Sequence, residues 1–164
     1  MKKFIIIIFL AFVLNACVYK NQEQSIVNLK SQTLMYAQKI NFNYKDNRIV
    51  ALLSYLNPVL DEKSQKEVFV LSFLPSINIK QDQISVLIDG KATIIMPLNK
   101  NDKLFKYILK SDYANYYKIT LNEIIQKPIL QLNLCFESQC FESKFQKISK
   151  SVYYRSEDAN IQHN

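Results

Sequence analysis

Glycine occurs once in 164 residues and histidine once, and no apolar run is long enough to cross a bilayer. Each shortage removes a class of chemistry. A single glycine leaves no Gly-rich loop to cradle a phosphate. The only histidine, His163, lies in a polar tail, so no Ser-His or Cys-His nucleophile is available from the rest of the chain. A metal site of clustered histidines and carboxylates is missing for the same reason, and no cofactor is called for. The lysines are numerous but scattered, and none forms the dense run of a nucleic-acid patch. Long helical patterns are lacking as well.

What the chain does have begins at its start. Met1-Lys2-Lys3 is a short cationic leader, and Phe4 to Leu14 is an unbroken apolar run. Its length and charge are those of a signal-peptide core. Roughly 20 apolar residues are needed to span the hydrocarbon layer, and Asn15, Lys20 and Glu23 interrupt too soon. The run ends in Leu14-Asn15-Ala16-Cys17.

Over these seventeen residues the chain resembles the bacterial lipoprotein signal sequence, with a leucine three positions before a cysteine and a small residue just before it. The resemblance implies a diacylglyceryl group on Cys17, cleavage between Ala16 and Cys17, and usually a further acyl chain on the new amino group. Each buried methylene contributes about 0.8 kcal/mol, so several chains anchor stably where one binds reversibly. Val18 stands where an aspartate keeps many such proteins on the inner membrane, so the resemblance favours the outer membrane, where the periplasmic face is expected over the cell surface. The expected organisation is a signal peptide over 1–16, a lipidated tether over 17–25, a domain over 26–155 and a disordered tail over 156–164. Removal of Lys2 and Lys3 takes the basic count from 21 to 19 against 14 acidic residues, so the net charge falls from +7 to +5. Such a surface suits anionic lipid, lipopolysaccharide phosphates or acidic protein, although scattered lysines read first as a solvated surface.

Two cysteines remain for an oxidising compartment. Leu130, Leu132, Leu134 and Phe136 alternate with polar partners, the period of a half-buried strand. Phe141 and Phe145 then share one face while Cys140, Glu142 and Lys144 share the other. A hairpin looping through Phe136 to Gln139 sets Cys135 opposite Cys140, close enough for a bridge.

The spacing of Ile26, Leu29, Thr33, Tyr36 and Ile40 permits a short helix, and an extended segment fits equally. Strands are expected at Ile40–Tyr44, Ile49–Leu56, Val68–Leu74, Ile84–Ile88, Ala92–Met96, Leu104–Leu109 and Tyr116–Thr120, with a last one at Ser151–Arg155. Asp89-Gly90 is suited to a type I′ turn. Thr120-Leu121-Asn122-Glu123 has the form of a capping box and predicts a one-turn helix. The expected fold is all-β: an antiparallel β-sandwich with an immunoglobulin-like arrangement, a small open barrel or a sheet packed on the N-terminal helix being the alternatives. Asp112, Ala114 and Tyr116 echo the spacing before the tyrosine corner of immunoglobulin-like domains, but Lys118 stands where those domains carry cysteine.

The expected role is a non-catalytic interaction or structural module of an envelope assembly, with an envelope protein as partner. Tyr113, Tyr116 and Tyr117, and Tyr153, Tyr154 and Arg155, form two aromatic clusters of the kind enriched at interfaces and sugar sites. A ligand-binding lipoprotein for an envelope glycan or lipid is the alternative. Catalysis would need a carboxylate pair such as Asp61 with Glu62, or Asp112 with Glu123, brought together by the fold.

Overall fold

A computed structural model of the chain describes residues 24–77 and 79–148. Residues 24–34 are helical. Nine strands follow: β1 (Ala37–Tyr44), β2 (Asn47–Tyr55), β3 (Glu67–Leu74), β4 (Ile84–Ile88), β5 (Lys91–Ala92), β6 (Ile94–Pro97), β7 (Asn115–Leu121), β8 (Ile129–Phe136) and β9 (Gln139–Gln146). They form two antiparallel sheets, β1-β2-β3-β7-β6 and β5-β4-β8-β9. The fold is therefore an all-β sandwich. Without β1 and the two-residue β5, the orders β2-β3-β7-β6 and β4-β8-β9 match those of the ABED and CFG sheets of the immunoglobulin constant-type sandwich.

Aromatic side chains hold the sheets together. Phe136 of β8 meets Phe42, Tyr44 and Phe73 of the opposite sheet, at ring-centroid distances of 5.3, 4.9 and 6.0 Å. Phe145 of β9 meets Phe69 of β3 edge-on at 5.2 Å. Of these, Phe73–Phe136 joins β3 to β8, the counterparts of the strands that antibody domains link by their inter-sheet disulfide.

The nearly continuous apolar run of β3 reflects burial on both faces. Phe69, Leu71 and Phe73 enter the core between the sheets, whereas Val68 and Val70 face a second cluster with Leu56, Val59, Tyr107 and Ile108. Segments around 56–60 and 98–108, together with Leu29 of the helix, form that outer layer. Here the expected strand Leu104–Leu109 is corrected: Lys103–Lys106 is a 3-10 turn, capped by Asp102 Oδ1 accepting from the Leu104 N–H at 2.9 Å. Apolar alternation in that stretch serves packing onto a sheet face rather than pairing within it. The one-turn helix expected over Leu121, Ile124 and Ile125 behind the Thr120–Glu123 capping box is absent too. Thr120 and Leu121 belong to β7, the Glu67 N–H donates to the Glu123 carbonyl at 3.2 Å, and the Glu123 carboxylate pairs with Lys91 at 2.8 Å. Tertiary partners outbid the local cap.

Asp89 and Gly90 turn with φ of 48° and 78°, the two positive angles of a type I′ hairpin. The expected return strand Ala92–Met96 divides, however. Lys91 and Ala92 pair with β4, and Ile94–Pro97 crosses to pair with β7 in the other sheet.

The cysteine hairpin forms in the expected register. Cys135 lies opposite Cys140, bridged, with Cα atoms 4.0 Å apart. The strands run one pair further than the expected loop, to Phe136 opposite Gln139, and close over Glu137-Ser138. That closing pair is hydrogen-bonded in a two-residue hairpin, so the cysteines form the adjoining non-hydrogen-bonded pair, the kind whose Cα atoms approach most closely. Cys140→Ser is expected to lower stability by about 2 kcal/mol, the chain-entropy value for so short a loop, with the fold intact. Urea unfolding of both forms measures it; loss of cooperative unfolding would show that the bridge underpins the whole fold.

Candidate functional site

Cys17, the second aromatic cluster of Tyr153, Tyr154 and Arg155, the expected strand Ser151–Arg155 and His163 lie outside the described residues. The helix includes positions 24 and 25, which the sequence assigns to the tether. Among the described residues no helix is long and apolar enough to cross a membrane, and no group of three metal-ligating side chains is present.

The first aromatic cluster is not one surface. β7 alternates its side chains, so Tyr116 and Tyr117 leave on opposite faces. Tyr117 enters the core, packs edge-on to Phe73 at 6.0 Å and donates its hydroxyl proton to the Ile79 carbonyl at 3.2 Å. Burial pushes that hydroxyl's pKa up. Its assignment to a partner surface is corrected accordingly. Tyr116 faces the outer layer, stacks edge-on with Phe105 at 5.0 Å, accepts from the Ser111 N–H at 2.7 Å and donates to the Leu109 carbonyl at 3.2 Å. A tyrosine tied to backbone a few residues upstream is the bonding of a tyrosine corner. It occurs here at the start of β7, the counterpart of strand E, and not near strand F where immunoglobulin domains carry it.

Only Tyr113 of the three is open, at 78% exposure. It stands at the pole where β3 ends and β7 begins, with its carbonyl accepting from the Ser76 N–H at 2.6 Å. Leu74 and Leu109 are also exposed at this pole. Beside them lies a depression of about 220 Å³, lined by Pro97, Leu98, Phe105, Lys110, Asn115 and Tyr116. Ligand cavities hold roughly 300–1,000 Å³ and enclose most of their ligand. This one suits a single side chain better than a lipid or an oligosaccharide.

Tyr113→Ser is expected to change stability by no more than about 0.5 kcal/mol, as at exposed positions generally. Tyr116→Phe, which removes a hydroxyl bonded to the Ser111 N–H and the Leu109 carbonyl, is expected to cost about 1 kcal/mol. Thermal unfolding of both variants checks the ranking. Equal losses would mean that Tyr113 is also part of the fold.

The fold does not bring Asp112 and Glu123 together, and it commits Asp61 to an ion pair. Asp61 pairs with Lys106, and that ammonium, followed by Tyr107, holds the Asp61 carboxyl below its usual range. Asp112 and Glu123 flank opposite ends of β7. The acid that the fold does single out is Glu67, which its sequence neighbours do not mark. It is wholly buried, at the core end of β3. Its Oε2 accepts from the Tyr55 hydroxyl at 2.8 Å, and its Oε1 accepts from the Ile125 N–H at 2.9 Å and from Lys147 Nζ at 2.5 Å. Lys147 also donates to the Ile125 carbonyl. Both carboxylate oxygens are thus satisfied from three separate segments. The arrangement locks β2, β3, the 121–128 connection and the end of β9 at one pole.

Comparison with protein-family models, with curated proteins and with solved structures finds no match for the chain.

Proposed function

We propose that the chain is a lipid-anchored protein of the bacterial cell envelope, held through Cys17, whose sandwich is a non-catalytic module that docks onto a protein partner. The observation that carries the reading is the Cys135–Cys140 bridge on an outer face of the sandwich. A bridge at such an open position persists in an oxidising compartment, such as the periplasm. The cationic leader, the apolar run and Leu14-Asn15-Ala16-Cys17 supply the route to that compartment. The docking surface proposed is the pole of Leu74, Leu109 and Tyr113, beside the depression under Lys110. Exposed apolar side chains grouped within a polar rim mark interaction sites, and tyrosine is enriched among interface anchors.

Cys17→Ser is expected to abolish palmitate incorporation in metabolically labelled cells; continued labelling would overturn the anchor. For the docking surface, crosslinked affinity purification from membranes compares the native chain with Leu109→Ser combined with Tyr113→Ser. Loss of a partner by the folded variant supports the surface, and retention of every partner removes it. Turnover of peptidoglycan or another envelope glycan, abolished by one carboxylate change, would overturn the non-catalytic reading.

A further inference from the structure

Among the described residues the two sheets have four edges: β1 and β6 in one, β5 and β9 in the other. β5 has two residues, and β6 has four and ends in Pro97, so both are poor templates for another strand. β1 and β9 have eight each. They flank an open trough of about 810 Å³, lined by Gln38, Lys39 and Asn41 on one side and Glu142, Ser143 and Lys144 on the other. Among the described residues no strand pairs with the outer edge of β9, and β1 reaches it only at the hairpin end, where Gln139 Nε2 donates to the Asn43 carbonyl at 3.1 Å.

The hydrogen-bond phase of that edge follows from one contact. The Lys147 N–H donates to the Pro128 carbonyl of the β8 side at 2.9 Å. Alternation along an antiparallel ladder then directs the backbone groups of Phe141, Ser143 and Phe145 toward β8, and those of Cys140, Glu142, Lys144 and Gln146 outward. Outward N–H and C=O groups of this spacing fit another antiparallel strand. The side chains beside them carry opposite charges two residues apart, Glu142 and Lys144, both exposed. Gln131 Nε2 holds Glu142 Oε1 at 2.6 Å and orients the carboxylate.

We propose that β9 pairs antiparallel with β9 of a second copy of this chain about a two-fold axis through Ser143. This register sets Glu142 against Lys144 of the partner copy, and Lys144 against its Glu142. Both pairs fall on hydrogen-bonded positions, and Phe141, half-buried at the trough, lies beside the partner's Phe145 on the core face. A slide of two residues in either direction puts Glu142 against its own copy, or Lys144 against its own, and like charges directly opposed are destabilising. The charges therefore select one register. A two-fold isologous contact is also the commonest closed assembly. β1 lacks this self-complementarity, since Lys39 is its only charged residue. The two four-stranded sheets become one of eight. The inference is independent of the lipid anchor.

The test is sedimentation equilibrium of the whole chain, native and with Glu142→Lys or Lys144→Glu. Each reversal turns two attractive pairs into two repulsive ones and is expected to weaken the dimer at least about tenfold. An equimolar mixture of the two variants restores complementary pairs and is expected to form a heterodimer. The double variant Glu142→Lys with Lys144→Glu is expected to dimerise like the native chain. Both positions are exposed, so thermal unfolding of the variants should match the native protein. A native chain that stays monomeric over the accessible concentrations would overturn the proposal, as would a dimer indifferent to both reversals. Amide exchange separates other occupants of the edge: protection of Cys140, Glu142 and Lys144 that does not change with concentration would show it filled by another segment or a bound partner, and would also overturn the dimer.

Discussion

Lys147→Met is expected to destabilise the domain by about 3 kcal/mol, among the largest single-site losses outside the aromatic core. The substitution keeps the length of the side chain and removes its charge, leaving the Glu67 carboxylate wholly buried with only the Tyr55 hydroxyl and the Ile125 N–H as donors. Breaking a buried ion pair from one side costs about 3–5 kcal/mol, and the 20% exposure of the Lys147 side chain places this case at the lower end. Adding Glu67→Gln should recover part of the loss, since the charge then disappears with its partner. Urea unfolding of the two single variants and the double variant forms the cycle. Strictly additive losses would mean that Lys147 acts through packing alone.

The same node has a pH signature. Burial first, and then the carboxylate of Glu67, raise the pKa of the Tyr55 hydroxyl well above the usual tyrosine range. A group whose folded pKa exceeds its unfolded value contributes stability that is complete below the unfolded pKa, about 10 for tyrosine, and is lost as pH rises beyond it. Stability should therefore fall with increasing steepness above about pH 10. Tyr55→Phe should flatten this limb while lowering stability at neutral pH, because Glu67 loses a donor. An unchanged alkaline limb in Tyr55→Phe would assign it to other groups.

Phe136→Ala is expected to cost about 3–5 kcal/mol, the range for deleting a buried phenylalanine. This ring is 1% exposed and contacts Phe42, Tyr44 and Phe73 across the gap between the sheets, so the cavity would open where the sheets meet rather than at a surface that can collapse. Chemical denaturation measures the loss. A cost below about 1.5 kcal/mol, typical of a volume-conserving swap, would show that neighbouring rings refill the space.

Legibility differed between the two aromatic sets. The two-residue period put Phe136 on the face of Leu130, Leu132 and Leu134, although the expected loop began at that residue and the strand in fact includes it. Tyr116 and Tyr117 look equivalent in a linear reading, yet one ring lies between the sheets and the other beneath the outer layer. Their period of two was visible; which face had a second layer over it was not. Leu104 to Leu109 failed for a related reason. Its alternation marks burial against a sheet, and burial is satisfied equally by a 3-10 turn laid over Val68 and Val70.

The sequence by itself determined the all-β class, most of the strands, the Asp89-Gly90 turn and the Cys135–Cys140 bridge. Each depends on residues close together in the chain: a period of two, a dipeptide able to adopt positive φ, two cysteines placed opposite by one short hairpin. Tertiary structure alone decided the crossing of β6 to the other sheet, the outer layer and the satisfaction of Glu67. The donors to Glu67 are 12, 58 and 80 residues away in sequence. No local pattern encodes a partner at that separation, because its proximity exists only once two sheets have packed and closed the core between them.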